Sequence, residues 1–358
     1  MSAGYGRDLA GYGRTPPRAD WPGGARLALS FVVNWEEGGE NNVMHGDATS
    51  EPGISDAVQA TAVPGQRHLT SESMFEYGSR SGVWRLLRTF ERRSLPLTIF
   101  AVGMAVERLP DVVAHMAASG HEICGHGYRW IDYQSVDPAT ERDHIRRTVA
   151  AITAITGQRP LGWYTGRTSP HTRRLVVEEG GFLYDSDAYN DDLPYWTEVA
   201  GTPHLVLPYT LDVNDMRFVT PSGFGDGDEF FRYLRDTFDC LYAEGAEAPR
   251  MMSVGLHCRL AGRPGRTQAL TRFLDHVARH DDVWVARRVD IARHWATTHP
   301  PSSMHAPALS LAASRPGDTQ GSPPELATTR MMARSEPNAH AGLSSIHGGE
   351  AGQECGPG

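Results

Sequence analysis

RLALSFVVNWEEGGE, residues Arg26–Glu40, runs from an apolar segment straight into two adjacent carboxylates and two glycines. The apolar part reads as a strand over Arg26–Val33, and the polar residues that follow stand at its C-terminal end. The same pattern recurs outward from it. Short, often β-branched segments bounded by Gly or Pro predict strands at Leu97–Val102, Glu122–Gly125, Gly162–Tyr164, Leu205–Pro208, Met252–Leu256 and Val283–Ala286. Helical patterns lie between them, at Ser81–Arg93, Ala105–Ser119, Asp137–Thr156, Thr172–Glu179, Asp228–Glu244, Gln268–His280 and Val289–Ala296. Strand–helix alternation implies a parallel sheet with helices outside it, and this many units suit a closed or nearly closed α/β barrel. Chemistry then belongs at the C-terminal ends of the strands, where the βα loops converge. The polar residues there are Asn34, Glu36 and Glu37, then His126, then Arg167, then His257 with Arg259.

Composition narrows the function classes. The chain has 358 residues, 40% of them hydrophobic, and a formal net charge of −9. No basic stripe is present to neutralise phosphates, which argues against a nucleic-acid partner. All 34 basic residues are arginine, so Schiff-base, P-loop and carboxylated-lysine chemistry are excluded. The four cysteines show no CxxC spacing, which disfavours zinc ribbons and thiol redox chemistry and points to a reducing, cytoplasmic setting. No signal peptide and no membrane-spanning segment is expected. From Pro301 the composition shifts to Ser, Pro, Gly and Ala without any aromatic residue. We read 1–300 as one catalytic domain and 301–358 as a disordered tail, since such a segment buries too little apolar surface to offset its ordering entropy.

Each candidate has a plain alternative. A carboxylate at a strand end can serve as a base or a metal ligand, or be a solvated loop acid; strand-end position favours Glu36, and Glu37 less so. His126, between Gly125 and Gly127, can protonate a leaving nitrogen or hold a metal, against an ordinary loop histidine bonded to backbone. His257 ends its strand as His126 does. Arg167 offers planar, bidentate recognition of carbonyl or carboxylate groups, or a surface ion pair. Arg259 and Arg263 are weaker candidates, and Cys258 reads as a packing residue. His276 and His280 have metal-ligand spacing on a helix but no zincin glutamate, so a solvated helix face is expected. The GFGDGD run at Gly223–Asp228 lacks the glycine fingerprint of a phosphate loop and reads as a flexible loop before a helix.

These stretches, with EYGSRSGVWRLL, GGFLYDSDAYNDDLPYW and PYTLDVNDMRF, resemble the cofactor-independent allantoinases of the polysaccharide-deacetylase superfamily over about Tyr5–Pro300. The resemblance implies a distorted (β/α) barrel. It also implies hydrolysis of the cyclic amide of allantoin, a small-molecule partner, with no membrane partner and homo-oligomerisation left open. Deacetylases of the superfamily hold a divalent metal with an acidic residue of the first strand and two histidines spaced H-x-x-x-H. Here the position four after His126 is Trp130, which cannot ligate, leaving fewer than the three protein ligands a catalytic zinc needs. No metal or other cofactor is therefore expected. Amide hydrolysis requires an activated water, stabilisation of the carbonyl oxygen and protonation of the leaving nitrogen. Glu36 is assigned as base, with Glu37 next in line, and His126 and His257 as acid and oxyanion stabiliser in unresolved order. Arg167 is assigned as substrate clamp, with Asn34, Trp130, Trp163, Tyr164, Asp212 and Asp215 as further substrate-binding candidates. Asp212 and Asp215 would meet ureide N–H groups or, alternatively, only cap backbone. The competing functions are a metal-dependent N-deacetylase of amino-sugar polymers and an inert binding module.

Overall fold

The computed structural model describes residues 7–57 and 61–301; the expected tail, beyond its first residue, lies outside them. Among the described residues nine strands form one sheet: β1 Leu27–Trp35, β2 Thr98–Ala101, β3 Glu122–Gly125, β4 Gly162–Trp163, β5 Tyr184–Asp185, β6 Tyr195–Val199, β7 Thr202–Val206, β8 Arg250–His257 and β9 Val283–Val285. β1 is the central spine. Along one edge it pairs with the whole of β8, and along the other with β9 at its start and β2 at its end, all parallel. From β2 the sheet runs through β3, β4, β5 and β7 to β6, which is antiparallel to β7. No ladder joins β7 to β8 among the described residues. The segment after β7 crosses that seam instead: the Gly255 N–H donates to the Val213 carbonyl at 2.9 Å, and Asn214 bridges to Gly255. The sheet is thus an open, distorted barrel rather than a closed one. Among the described residues no helix is long and apolar enough to cross a membrane.

Helices cover the outside: α1 Leu69–Tyr77, α2 Val83–Glu91, α3 Gly103–Arg108, α4 Pro110–Ala118, α5 Pro138–Thr156, α6 Thr172–Glu179, α7 Gly227–Glu244, α8 Pro264–Val277 and α9 Arg288–Thr298. Three departures from expectation have local causes. The single helix expected over Ala105–Ser119 is two, because Pro110 lacks the N–H that would continue the ladder and instead opens α4. The helix expected from Ser81 begins at Leu69 and carries a π-helical stretch, Gly78–Gly82, between α1 and α2. β5 has only two residues, and β6 lies half-exposed on the sheet edge, so neither has an apolar pattern to read. The GFGDGD run leads into α7, whose first turn is capped by the Asp226 carboxylate at 2.8 and 2.9 Å.

Period-two alternation sorts the side chains of β1 and β8 between two environments. Leu27, Leu29, Phe31, Val33 and Trp35 pack outward with Met252, Val254, Leu256 and Cys258 under the helices. Ala28 and Val32 face the lumen with Phe100, Tyr164 and Tyr209. Ser30 and Ser253 meet there at 3.1 Å. Arg288, from the start of α9, fills the lumen below the site, donating to Ser253 Oγ at 2.6 Å and to the Leu207 and Pro208 carbonyls at 2.6 and 2.9 Å. Extending the parity past the strand ends places Asn34, Glu36, His126, His257 and Arg259 on the lumen side.

Candidate active site

Glu36 is the centre of the lumen mouth, with 1% of its surface exposed. Its Oε1 lies 3.3 Å from His126 Nε2 and 3.5 Å from His257 Nε2, and its Oε2 lies 2.8 Å from an Arg259 guanidinium nitrogen. Two acceptors do not approach so closely without a proton between them, so at least one imidazole carries hydrogen on Nε2. Each ring is oriented from behind. His126 Nδ1 is 3.1 Å from the Tyr164 carbonyl oxygen, which can only accept, so that nitrogen is the donor. His257 Nδ1 donates to Asp215 Oδ1 at 2.6 Å, while the other Asp215 oxygen takes the backbone N–H of His257 at 2.7 Å and of Ala261 at 2.8 Å.

The charges are strongly coupled. Burial alone would raise the Glu36 carboxyl, but the charges of Arg259 and His257 and the bonds from both histidines hold it well below the ordinary range. Burial alone would lower the His257 imidazole, yet the Glu36 and Asp215 carboxylates push it up to about 9. His257 is therefore a cation at neutral pH and a ready proton donor. Glu37 differs from its neighbour: burial, added to by the Glu36 charge and opposed by Arg259, pushes it up to about 7. Its parity turns it outward, where a Cβ on Gly78 would come within 2.3 Å of its Oε1. Glu37 lies 3.8 Å from Arg259 but touches neither histidine, whereas Glu36 stands beside both.

Arg259 is fully buried, its guanidinium against both the Phe75 ring at 4.3 Å and the Trp130 ring at 5.1 Å. Its Nε donates to the Ile54 carbonyl at 2.8 Å. Ile54 adopts φ 49°, a backbone region costly for a β-branched residue. Although one terminal nitrogen touches Glu36, neither terminal nitrogen makes an aligned hydrogen bond. The guanidinium is thus ion-paired, 2.8 Å from Glu36 and 3.8 Å from Glu37, with its N–H groups poorly aligned on both, and its planar fork could turn to a carbonyl. Arg167 stands nearer the solvent, 4.1 Å over the Trp130 ring and 3.7 Å from Glu51.

Several expected substrate contacts are placed elsewhere. Trp163 faces away from the lumen, packed with Ile145, Leu175, Val176 and Phe182, because it is one residue out of parity with Tyr164. Tyr164 lies on the lumen side but under the site, its ring 4.9 Å from that of His126 and 4.6 Å from Phe100. Asp212 is exposed and tied to Thr210 at 2.8 Å and Tyr233 at 3.3 Å. Asp215 spends both oxygens on His257 and the backbone, so it positions that ring rather than meeting substrate. Asn34 donates to Tyr209 Oη and the Leu256 carbonyl, both at 3.1 Å. Arg259, a weaker candidate by sequence, joins the centre of the site, and its signal is the two-residue spacing that places it on the face of His257. His121, which precedes β3, is structural: its Nδ1 accepts the Leu97 N–H at 3.2 Å.

The π-helical stretch presses two glycines against this machinery. A Cβ on Gly82 would lie 1.9 Å from the Cys258 carbonyl oxygen, a contact only glycine permits. Gly82→Ala is expected to destabilise the fold by about 1–3 kcal/mol, as overpacking does, and to lower activity by shifting the His257–Arg259 segment. Thermal unfolding checks this, and an unchanged Tm would show that the segment yields freely.

The deacetylase metal set does not fit these residues. Trp130 stands where the second histidine would be, and its ring is occupied by two guanidinium groups. The Arg259 cation already neutralises Glu36, so a second cation there would be repelled. Glu36, His126 and His257 are also not among the groups of His, Cys, Asp and Glu in the described residues whose donor atoms all lie within 4.8 Å of one another.

Comparison with known proteins agrees with this architecture. Residues 69–180 match the polysaccharide deacetylase family. A Schizosaccharomyces pombe protein named "Putative polysaccharide deacetylase" is 44% identical over 314 residues, covering 82% of this chain and 98% of that one. A solved structure described as a probable polysaccharide deacetylase from Pseudomonas aeruginosa PAO1 is 62% identical, covers 83% of this chain and 99% of its own, and superposes with a TM-score of 0.81. The solved structure of PuuE allantoinase is 61% identical over 84% of this chain and 100% of its own, with a TM-score of 0.82. With its open barrel, its strand-end histidines and relatives matched over nearly their whole length, the chain belongs to the polysaccharide deacetylase family.

Proposed function

We propose that this chain is an allantoinase, opening the five-membered ring of allantoin to allantoate by hydrolysing a ring amide without a metal. The observation that carries the reading is enclosure. Glu36, His126, His257 and Arg259 are 1%, 2%, 6% and 1% exposed, beneath Trp130 and the 40–57 segment. A small, flat ligand can enter such a site more readily than a polymer chain. The 61% identity to PuuE allantoinase supports the same choice.

The chemistry divides among the residues. Arg259 turns N–H groups that now face Glu36 toward a ring carbonyl, and Arg167 closes on the solvent side over Trp130. A carbonyl that draws Arg259 away loosens the ion pair that keeps Glu36 weakly basic, so substrate binding itself raises the basicity of Glu36. The water oxygen then bonds to the ring carbonyl carbon while its proton passes to Glu36. His126 steadies the oxyanion. The C–N bond breaks, and the leaving nitrogen takes the proton from His257. A ring amide activated by its neighbouring carbonyls needs less Lewis acid help than an acetamide. In this reading the enzyme acts in purine-derived ureide catabolism in the cytoplasm.

The test is turnover of allantoin, hydantoin, dihydrouracil and N-acetylglucosamine oligomers by purified protein. Allantoin is expected to be preferred by on the order of 10⁴-fold over acetylated sugars, because a wrong ligand leaves buried polar groups unpaired. Acetate release from the oligomers with allantoin intact would replace this function with deacetylation. Turnover is also expected to survive dialysis against a strong chelator. Loss on chelation followed by recovery with a divalent metal would overturn the metal-free mechanism.

A further inference from the structure

The outer helix pair α7 and α8 carries a cluster that the barrel chemistry does not use. We propose that Asp239, His276 and His280 form a binding site for one divalent transition-metal ion of the zinc class, which staples α7 to α8. The donor atoms of the three residues all lie within 4.8 Å of one another. Asp239 comes from α7, while His276 lies in the last turn of α8 and His280 just beyond it. His276 Nε2 and Asp239 Oδ1 are already 2.6 Å apart.

The orientation of His280 is what marks the cluster as a ligand set rather than a solvated helix face. Its Nδ1 is 3.1 Å from the His276 carbonyl oxygen, which can only accept, so Nδ1 carries the hydrogen and the Nε2 lone pair is left free. A metal-bound histidine is fixed in this way, with its second nitrogen donating to a backbone carbonyl or carboxylate. Phe238 and Tyr242 hold the ring at centroid distances of 5.0 and 4.8 Å, and the His276 ring lies at 5.0 Å. One ligand is thus pre-oriented by packing.

Two imidazoles and one carboxylate select zinc, cobalt or nickel over calcium and magnesium, which prefer all-oxygen shells. Donors at about 2.0–2.2 Å from a tetrahedral ion stand about 3.4 Å apart, so the 2.6 Å Asp239–His276 pair must open to admit the ion. Asp239 can give way, since its side chain is 46% exposed. Water completes the shell. Binding replaces the hydrogen that His276 Nε2 shares with Asp239, and that proton leaves to solvent. The site is remote from the barrel mouth: α8 starts there, and twelve residues of helix carry His276 about 18 Å toward the opposite end. The ion would act on stability, not on turnover.

The experiment uses metal-stripped full-length protein titrated with zinc chloride by calorimetry, with Tm measured in parallel and cobalt(II) absorption as a third readout. Wild type is expected to bind one equivalent at this site and to gain Tm as zinc exceeds Kd. His276→Ala and His280→Ala are expected to lose at least about 100-fold in affinity, since even outer-shell changes cost 10–100-fold. His280→Phe preserves the packing between Phe238 and Tyr242, so it separates loss of a ligand from loss of fold. Equal zinc affinity and equal Tm gain in wild type and His280→Phe would overturn the proposal. So would failure of wild type to bind zinc at millimolar concentration.

Discussion

Glu36→Gln is expected to lower kcat on allantoin by about 10²–10⁴-fold, the range lost when a general base is removed. The substitution keeps volume and hydrogen-bonding shape while removing the charge. Two consequences follow from its place at the centre of the site. No carboxylate then stands beside both histidines, since Glu37, 3.8 Å from Arg259, touches neither. The partner of Arg259 and His257 is also lost, leaving two buried cations without the anion that lies 2.8 and 3.5 Å from them. The same loss should therefore lower stability as well as rate, most visibly above the ordinary carboxylate range. The Glu36 carboxyl is depressed in the folded state, so its contribution is present above about 4.5 and is lost as pH falls through its folded pKa. Steady-state kinetics with circular dichroism checks both effects. A folded Glu36→Gln enzyme with near wild-type kcat would move the role of base to another residue.

Asp215→Asn is expected to cost a further large factor, about 10²–10⁴-fold in kcat, without touching substrate. Asp215 holds a hydrogen on His257 Nδ1 at 2.6 Å and supplies one of the two negative charges that raise this imidazole to about 9. An asparagine in its place supplies no charge and turns an N–H toward groups that themselves donate. If His257 is the acid, as proposed, the alkaline limb of kcat/KM for wild type is expected near pH 9, where His257 loses its proton. In Asp215→Asn that limb should move down toward the ordinary imidazole value of 6.5. Stability carries the same sign. A folded pKa raised above its unfolded value contributes stability that is fully present below about 6.5 and is lost as pH rises through about 9. A structural role alone would lower Tm but leave the alkaline limb in place, so an unmoved limb with lowered kcat would show that His257 is not the acid.

The residues that meet at the mouth were largely legible because alternation in a strand is a one-dimensional signal. The apolar run of β1 ending in Asn34 and Glu36, and the short strands ending in His126 and His257, placed four of the central groups at one end of a parallel sheet. The same rule could have excluded Trp163, one residue out of parity with Tyr164, and promoted Arg259, two residues beyond His257. What alternation cannot report is pairing across the sheet. Asp215 and His257 are 42 residues apart and meet because the segment after β7 crosses the open seam to β8. His126 and Glu36 are 90 apart and meet through the β1–β2–β3 ladder.

The sequence by itself determined the α/β layout and the strand ends that hold the candidate site, which depend on local composition and spacing, while the resemblance to deacetylases implied that Trp130 stands in place of a histidine. Only the tertiary structure decided that the barrel stays open between β7 and β8, that Arg259 takes the position of the central cation, and that Asp215 serves His257 while Asp212 remains in solvent. The physical reason is that these outcomes depend on burial and on charges brought close from distant parts of the chain. Coulomb energy and desolvation act on distance in space, and distance in sequence does not fix it.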